Sequence, residues 1–426
     1  MTQIASFRFL HAADIHLDSP LRGLSRYEGV PADDIRTATR TALDNLVACA
    51  IREAVRFVVV AGDVYDGDWE DFGTGLYFCR AMGLLEQAGI AVYLLRGNHD
   101  AASIMTKSLP LPGNVHVFNH LKPETFEHAA TGTVLHGHSY RERDPGSNLA
   151  AGYPPARAGR LNIGVLHTAL AGGYAGHAPY APCTVADLQA RDYDYWALGH
   201  IHDFAVIARA PHIVFSGNLQ GRHIGECGAK GAVLVSVEDG RVADVVHLPL
   251  DTVRWARLEI AVAGMESEAD IHNALRAALR RAVTEEANGR PLVVRVVLSG
   301  STALHGVLAD KRTALREEVR AIATAVSDRM WVEKVQLATA EVAAAIDASL
   351  VSDASLLMDV GQLIDRGAID AALLETLKAD YGDLLSRLPG DIEDAGGFLA
   401  SVRGGSLEPL LRDAAVSLKS RIAGAG

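Results

Sequence analysis

Five separate runs of apolar β-formers in the first half of this chain end in Asp, His or Asn, and that recurrence restricts the fold more than any other feature. The clearest is Phe57-Val58-Val59-Val60, which leads into Gly62-Asp63-Val64-Tyr65-Asp66. A strand that is apolar on both faces belongs in a sheet covered on both sides, and such sheets bind ligands beyond the carboxyl ends of their strands. Phe7–Ala13 leads into Asp14-Ile15-His16, and Ile90–Leu95 into Gly97-Asn98-His99-Asp100. Leu161–Leu166 ends at His167, and Tyr195–Leu198 at Gly199-His200-Ile201-His202. Residues two apart in an extended segment face the same side, so Asp14 with His16, and His200 with His202, can reach one point. Taken singly, each is as readily a turn or helix-cap residue. Core packing gives no reason for the pattern to recur at every one of these strand ends.

The groups so collected are carboxylates, imidazoles and one amide oxygen, with no thiolate. That chemistry suits Mn²⁺, with Mg²⁺, Fe²⁺ and Zn²⁺ as alternatives, better than a closed structural zinc site. There are too many ligands for one ion. Two ions sharing a carboxylate account for them, and a pair about 3.5–4 Å apart is the arrangement used for in-line displacement at phosphorus.

With 426 residues the chain has room for two or three domains. A formal net charge of −12 means that a nucleic-acid partner must be met by a local basic surface or by bound cations. Cys49, Cys79, Cys183 and Cys227 are scattered without a C-x-x-C spacing, as expected of reduced thiols in the cytoplasm. The chain enters its first strand almost at once, so a signal peptide is not expected, and no apolar run reaches the ~18 residues of a membrane span.

Residues 1–252 alternate strand and helix, with helices expected over Arg36–Ala54 and Phe72–Gln87 and further strands at Val115–Phe118, Thr133–Leu135, Ile213–Phe215, Ala232–Val237 and Val242–Pro249. The reading is an α/β sandwich of two sheets flanked by helices. The loop Ser139–Arg160 carries Arg141, Arg143, Arg157 and Arg160 and is read as a solvated surface loop in preference to a phosphate-contacting one. Residues 253–340 change to β-α-β-α-β: strands at Arg254–Val262, Leu292–Leu298 and Trp331–Leu337, helices at Glu266–Glu285 and Leu304–Ala325. No metal-ligating residues cluster there, so this small α+β domain is expected to shape or cover the site. Residues 341–426 read as a helical segment in which Leu373, Leu374, Leu377, Leu384 and Leu385 form a stripe, either core packing or a docking surface.

Asp14-x-His16, Gly62-Asp63-x-x-Asp66, Gly97-Asn98-His99-Asp100, His167 and Gly199-His200-x-His202 stand in the order and spacing of the calcineurin-like metallophosphoesterases, and the chain resembles that family. The resemblance implies a four-layer α/β/β/α sandwich. It implies that Asp14, His16 and His202 hold one ion, that Asn98, His167 and His200 hold the second, and that Asp63 bridges. His99 would contact the scissile phosphate and assist the leaving group. Within the superfamily, Leu10–Pro20 and Gly217–His223 are similar to the DNA repair exonucleases of the SbcD type, especially the YhaO-like branch. That likeness covers residues 7–250 and implies a homodimer, a capping domain at 253–340, and C-terminal helices that bind an SMC-like ATPase. Relatives in the double-strand-break repair branch carry His where this chain has Asp66. Asp66 therefore either orients the catalytic His99 by accepting a hydrogen bond or is a turn residue.

His136 and His138 are read as structural or surface residues, because the ligand set is complete without them. His223, beside Arg222, is kept as a candidate substrate contact, and Tyr174, His177 and Tyr180 as candidate cleft residues. The leading expectation is a two-metal DNA exonuclease. One alternative is a small-substrate phosphoesterase acting on cyclic nucleotides, nucleotide diphosphates or phosphoproteins; Gly67 and Asp100 stand where protein phosphatases carry Arg and Glu. Another is a non-catalytic subunit of an ATPase complex.

Overall fold

A computed structural model describes residues 6–21, 37–66, 72–102, 110–170 and 180–341, with isolated positions after 361. Tyr174, His177 and the five leucines of the C-terminal stripe lie outside the described residues, as does most of the expected helical segment 341–426. The chain divides into two compact units, one drawn from 1–258, 279–295 and 326–333, the other from 259–278, 296–325 and 334–426.

In the first unit, β1 (Phe7–Ala12), β2 (Phe57–Ala61), β3 (Ala91–Leu95), β4 (Val115–Val117), β11 (Gly231–Glu238) and β12 (Arg241–Pro249) form a sheet of order β12-β11-β1-β2-β3-β4. Neighbours from β1 to β4 run parallel, with Leu10 opposite Val58 and Val58 opposite Val92; β11 and β12 are antiparallel additions. The second sheet contains β5 (Glu124–His128), β6 (Thr133–Gly137), β7 (Leu161–His167), β8 (Tyr195–Gly199), β9 (Ala205–Arg209) and β10 (His212–Phe215), in the order β5-β6-β7-β8-β10-β9. Here β6, β7, β8 and β10 are the parallel strands. Parallel pairing brings the carboxyl ends of β1, β2 and β3 to one edge of their sheet, and those of β7 and β8 to one edge of theirs.

Strand alternation explains the layers. Phe57, Val59 and Ala61 of β2 face inward with Phe9, Tyr93 and Leu95 onto Leu135, Ile163, Val165, Tyr195 and Ala197 of the other sheet. Val58 and Val60 face outward onto α1 (Ala38–Arg52) and α2 (Phe72–Gln87), through Leu43, Leu46, Phe78 and Leu85. The outer face of the second sheet presents Leu166, Trp196, Leu198 and Phe215 to Tyr153, Leu188 and Tyr193. Two further short helices are α3 (Asn98–Ala102) and α4 (Val185–Gln189), the latter opened by a Thr184–Asp187 capping box. The result is the expected four-layer α/β/β/α sandwich. Phe57 anchors its centre, stacked on Phe9 at 5.0 Å and edge-on to Tyr93 at 5.7 Å. Truncating a core phenylalanine of this kind costs about 3–5 kcal/mol.

Two strands are absent from the sequence reading. Both β5 and β9 are sheet edges, and their sequences, Glu-Thr-Phe-Glu-His and Ala-Val-Ile-Ala-Arg, are mostly half-buried rather than buried. The loop 139–160 is pinned down by a 3₁₀ turn at Leu149–Gly152 and the buried Tyr140 and Tyr153. Arg157 and Arg160 pair with Glu127 on β5 at 3.5 and 3.2 Å, in keeping with the surface reading.

Beyond residue 250, β13 (Arg254–Ala261), β14 (Leu292–Ser301) and β15 (Met330–Ala340) form a sheet in that order. The intervening helices are α5 (Glu268–Ala282), α6 (His305–Asp310) and α7 (Arg312–Val326). The single helix expected over Leu304–Ala325 is broken at Lys311, yet Leu308, Leu315, Val319 and Ala323 keep one buried stripe, which is why the pattern reads as continuous. Among the described residues no helix is long and apolar enough to cross a membrane.

Candidate metal centre

The loops leaving β1 and β2 run side by side. Asp14 N–H donates to Gly62 O at 2.9 Å, His16 N–H to Asp63 O at 3.1 Å, and Leu17 N–H to Val64 O at 2.8 Å. Asp14, His16, Asp63 and His200 all have positive φ, at 50°, 43°, 54° and 96°. Non-glycine residues occupy that region at a cost of order 1 kcal/mol or more each, and such strain gathers at functional sites. Gly97 approaches so closely that a Cβ there would collide with the Asp63 carboxylate. Asp100 ties the two turns together by accepting from Val64 N–H at 3.0 Å, Tyr65 N–H at 3.1 Å and Gly97 N–H at 3.1 Å.

Three histidines share one arrangement, in which Nδ1 is tied outward and Nε2 points in. His16 Nδ1 lies 2.7 Å from Asp66 Oδ1, and its Nε2, buried and 3.9 Å from Asp63 Oδ2, has no hydrogen-bond partner. His202 Nδ1 lies 2.7 Å from Glu226 Oε1, with Nε2 3.8 Å from Asp14 Oδ1. His167 Nδ1 donates to Ala61 O at 2.9 Å, placing Nε2 2.9 Å from Asn98 Oδ1 and 3.3 Å from Asp63 Oδ2. A neutral imidazole so oriented turns a lone pair toward other acceptors, which is unfavourable unless a cation sits among them.

The electrostatics agree. Burial, reinforced by Asp63 against the pull of His167, pushes Asp14 up to about 8. Burial works against ionising Asp63 as well, but His167, followed by His16 and His99, holds it well below the usual carboxylate range. Burial alone would lower His167, yet Asp63 and Asp14 raise it to about 9, so a proton on Nε2 supplies the positive charge that these carboxylates demand. Burial, with help from Arg222, lowers His16 to about 3 and leaves it a neutral ligand. The orphaned Nε2 of His16, an Asp14 carboxylate short of positive charge and a proton on His167 standing where a cation would serve Asp63 fit a pair of divalent ions.

The nine expected metal and catalytic residues, Asp14, His16, Asp63, Asp66, Asn98, His99, His167, His200 and His202, meet in this region. Asp14, His16 and His202 bring donor atoms within 4.8 Å of one another, as do Asp14, Asp63 and His167, and as do His16, Asp66 and His99. His200 is held by its backbone N–H, 3.0 Å from Asp14 Oδ2, with its ring 5.2 Å from that of His167 and 5.5 Å from that of Tyr180. Its ring is not part of those three groupings. His99 is anchored by its N–H on Asp63 Oδ1 at 2.9 Å and meets His16 edge-on at 5.0 Å. The short bond of Asp66 goes to His16, whereas His99 Nδ1 stands 3.6 Å away. His136 is buried against Thr125, Asn162 and the Tyr193 ring, a structural role.

Sequence reasoning missed Glu226 and the use made of Arg222. Arg222 donates to Glu226 Oε1 at 2.8 Å and lies 3.6 Å from Asp66 Oδ1. His223 faces the same Glu226 oxygen at 3.4 Å. Burial opposes the charge on Glu226, but His202 and Arg222 hold it well below the usual range.

Comparison with known proteins matches these features. Residues 7–204 fit the family description "Calcineurin-like phosphoesterase", and residues 255–340 fit "Metallophosphoesterase YhaO, middle domain". A Bacillus subtilis (strain 168) protein named "Uncharacterized metallophosphoesterase YhaO" is 34% identical over 326 residues, spanning 74% of this chain and 78% of that one. Two solved structures are similar to part of the chain. A dimetal phosphatase from Danio rerio covers 55% of this chain and 93% of its own, at 13% identity and TM-score 0.34. The protein TT1561 of Thermus thermophilus covers 57% and 99%, at 9% identity and TM-score 0.33. With strand ends, inward-facing histidines and a curated relative in agreement, the chain belongs to the calcineurin-like metallophosphoesterase family.

Proposed function

We propose that the protein is a two-metal phosphodiesterase that shortens DNA from its ends, with Mn²⁺ as its metal, working as a homodimer with an SMC-like ATPase. The observation that carries the phosphoesterase reading is the convergence of His16, His167 and His202, each by Nε2, on Asp14 and Asp63 beside His99. The choice of DNA rests on the likeness of Leu10–Pro20 and Gly217–His223 to the SbcD-type exonucleases.

Asp14, His16 and His202 would hold one ion, Asn98, His167 and His200 the other, with Asp63 between them. When bound, the ions supply charge neutralisation at the phosphoryl group and activation of a water nucleophile. The chain's own part is orientation and proton delivery. Asp63 fixes the His99 backbone, and Asp66 lies on the Nδ1 side of the His99 ring, so the proton given to the leaving oxygen departs from Nε2. The bound cations also answer the repulsion that a net charge of −12 presents to a polyanion.

The test is Mn²⁺-dependent digestion of end-labelled duplex and single-stranded DNA by wild type, His99→Ala and Asp63→Asn. Stepwise shortening that both substitutions abolish is the expected result. Intact DNA alongside rapid Mn²⁺-dependent hydrolysis of a small bis-ester or nucleotide would refute the choice of substrate and leave a small-substrate enzyme. Inertness on every substrate by protein with bound metal would favour a partner-dependent or non-catalytic subunit.

A further inference from the structure

Glu226 is a buried carboxylate that no strand end announces, and the Arg222 guanidinium reaches both of its oxygens. Oε2 accepts from Arg222 N–H at 2.7 Å and Asn218 Nδ2 at 2.9 Å, which fixes the plane of the group. Oε1 then faces His202 Nδ1 at 2.7 Å and Arg222 NH2 at 2.8 Å. Arg222 NH2 also lies 3.3 Å from His202 Nδ1. A carboxylate oxygen at 2.7 Å demands a proton on Nδ1, so the imidazole donates to Glu226 and the guanidinium is only a neighbour.

The same construction stands on the other side of Arg222. Asp66 Oδ1 is 2.7 Å from His16 Nδ1, and Arg222 NH1 lies 3.6 Å from that oxygen. One guanidinium thus lies between two carboxylates, and each carboxylate holds the Nδ1 of a different histidine. Lys230, buried, fixes the backbone of His202 by donating to its carbonyl at 2.7 Å.

We infer that Glu226 and Asp66 are paired positioning residues that set the tautomer and ring angle of His202 and His16 for a single ion, with Arg222 supplying the charge that lets both carboxylates sit close together. The inference rests on the two-metal reading of the site, and is independent of DNA as substrate. Its consequence is selectivity between the two ions. His167 owes its orientation to a backbone carbonyl, Ala61 O, so the ion it serves does not depend on this pair. Loss of a carboxylate that orients a metal-bound histidine typically weakens metal binding about 10- to 100-fold.

The experiment is a Mn²⁺ titration followed by the electron paramagnetic resonance of free Mn²⁺, on wild type, Glu226→Gln, Glu226→Asp and Asp66→Asn. Thermal unfolding of the metal-free proteins is run alongside. Glu226→Asp keeps the charge beside Arg222 while withdrawing the oxygen from Nδ1, so it separates holding His202 from neutralising Arg222. It also stands in for Glu226→Gln if the latter fails to fold. We expect two ions per wild-type chain, and in each folded variant one ion weakened about 10- to 100-fold with the other nearly unchanged. Long-range ¹H–¹⁵N spectra should show His202 as the Nδ1–H tautomer in metal-free wild type and as a mixture in Glu226→Asp. Wild-type affinities at both sites in folded Glu226→Asp, with the tautomer unchanged, would overturn the inference. A wild type that binds no Mn²⁺ would overturn the two-metal reading along with it, and so differs from a failure of the pairing alone.

Discussion

His11 offers a sharp test of how the sheets are joined beneath the site. Its ring lies between Tyr195 Oη, 3.0 Å from Nδ1, and Leu198 O, 3.2 Å from Nε2. Only a hydrogen on Nε2 can bond the carbonyl, so Nδ1 accepts from the phenol and the neutral ring is fully satisfied. Burial lowers its pKa from the ordinary 6.5 to about 3. The unfolded chain therefore binds a proton as pH falls through 6.5 while the folded chain does not, and acidification favours unfolding. The contribution is intact above the unfolded value and is lost progressively down to about pH 3. Its slope approaches about 1.4 kcal/mol per pH unit, which amounts to about 2 kcal/mol between about pH 7 and about pH 5. The assay is urea unfolding with chelator present, at several pH values, for wild type and His11→Gln, whose amide can still donate to Leu198 O. The variant should be less stable near neutrality by about 1 kcal/mol for the lost phenol bond. The gap should close and reverse as pH falls, because glutamine has nothing to titrate. Taking the difference removes the contributions that His16 and His136 make to both proteins. Parallel pH profiles would refute the reasoning.

Two other predictions concern packing and charge. Gly97→Ala places a Cβ against the Asp63 carboxylate, so Mn²⁺ affinity measured calorimetrically should fall by about tenfold or more. Asp251→Ala strands Arg254, which Asp251 holds at 2.9 and 3.1 Å, together with Arg290 at 3.2 Å; urea unfolding should show a loss of about 3–5 kcal/mol.

How much of this is legible in the sequence depends on where the information sits. Phe57–Ala61 and Phe72–Gln87 appear at the residues their patterns indicate, because a strand buried on both faces and a helix bounded by Gly89 carry their own signals. The edge strands β5 and β9 carry none, since one flank of each is left unpaired and their side chains are only half covered. Asp14, His16, Asp63, Asn98, His167, His200 and His202 are readable because each ends or closely follows a strand, and strand ends in a parallel sheet share an edge. Glu226 follows no strand and lies 24 residues from His202; the β9–β10 hairpin folds between them, and no local pattern reports that return. Asp66 stands out as a position, but its short bond to His16 rather than His99 depends on how the β1 and β2 loops run together.

The residues that converge on the site come from both sides of the sandwich: Asp14, His16, Asp63 and Asn98 follow strands of one sheet, His167, His200 and His202 strands of the other. Any ion ligated from both groups is therefore a cross-link between the layers, added to their apolar contact and to the few hydrogen bonds between them, such as His11 to Leu198 O and His167 to Ala61 O. Its binding energy adds to the cohesion of the two sheets. Metal loading should slow amide exchange along β1 and β7 together, although no covalent element joins them there.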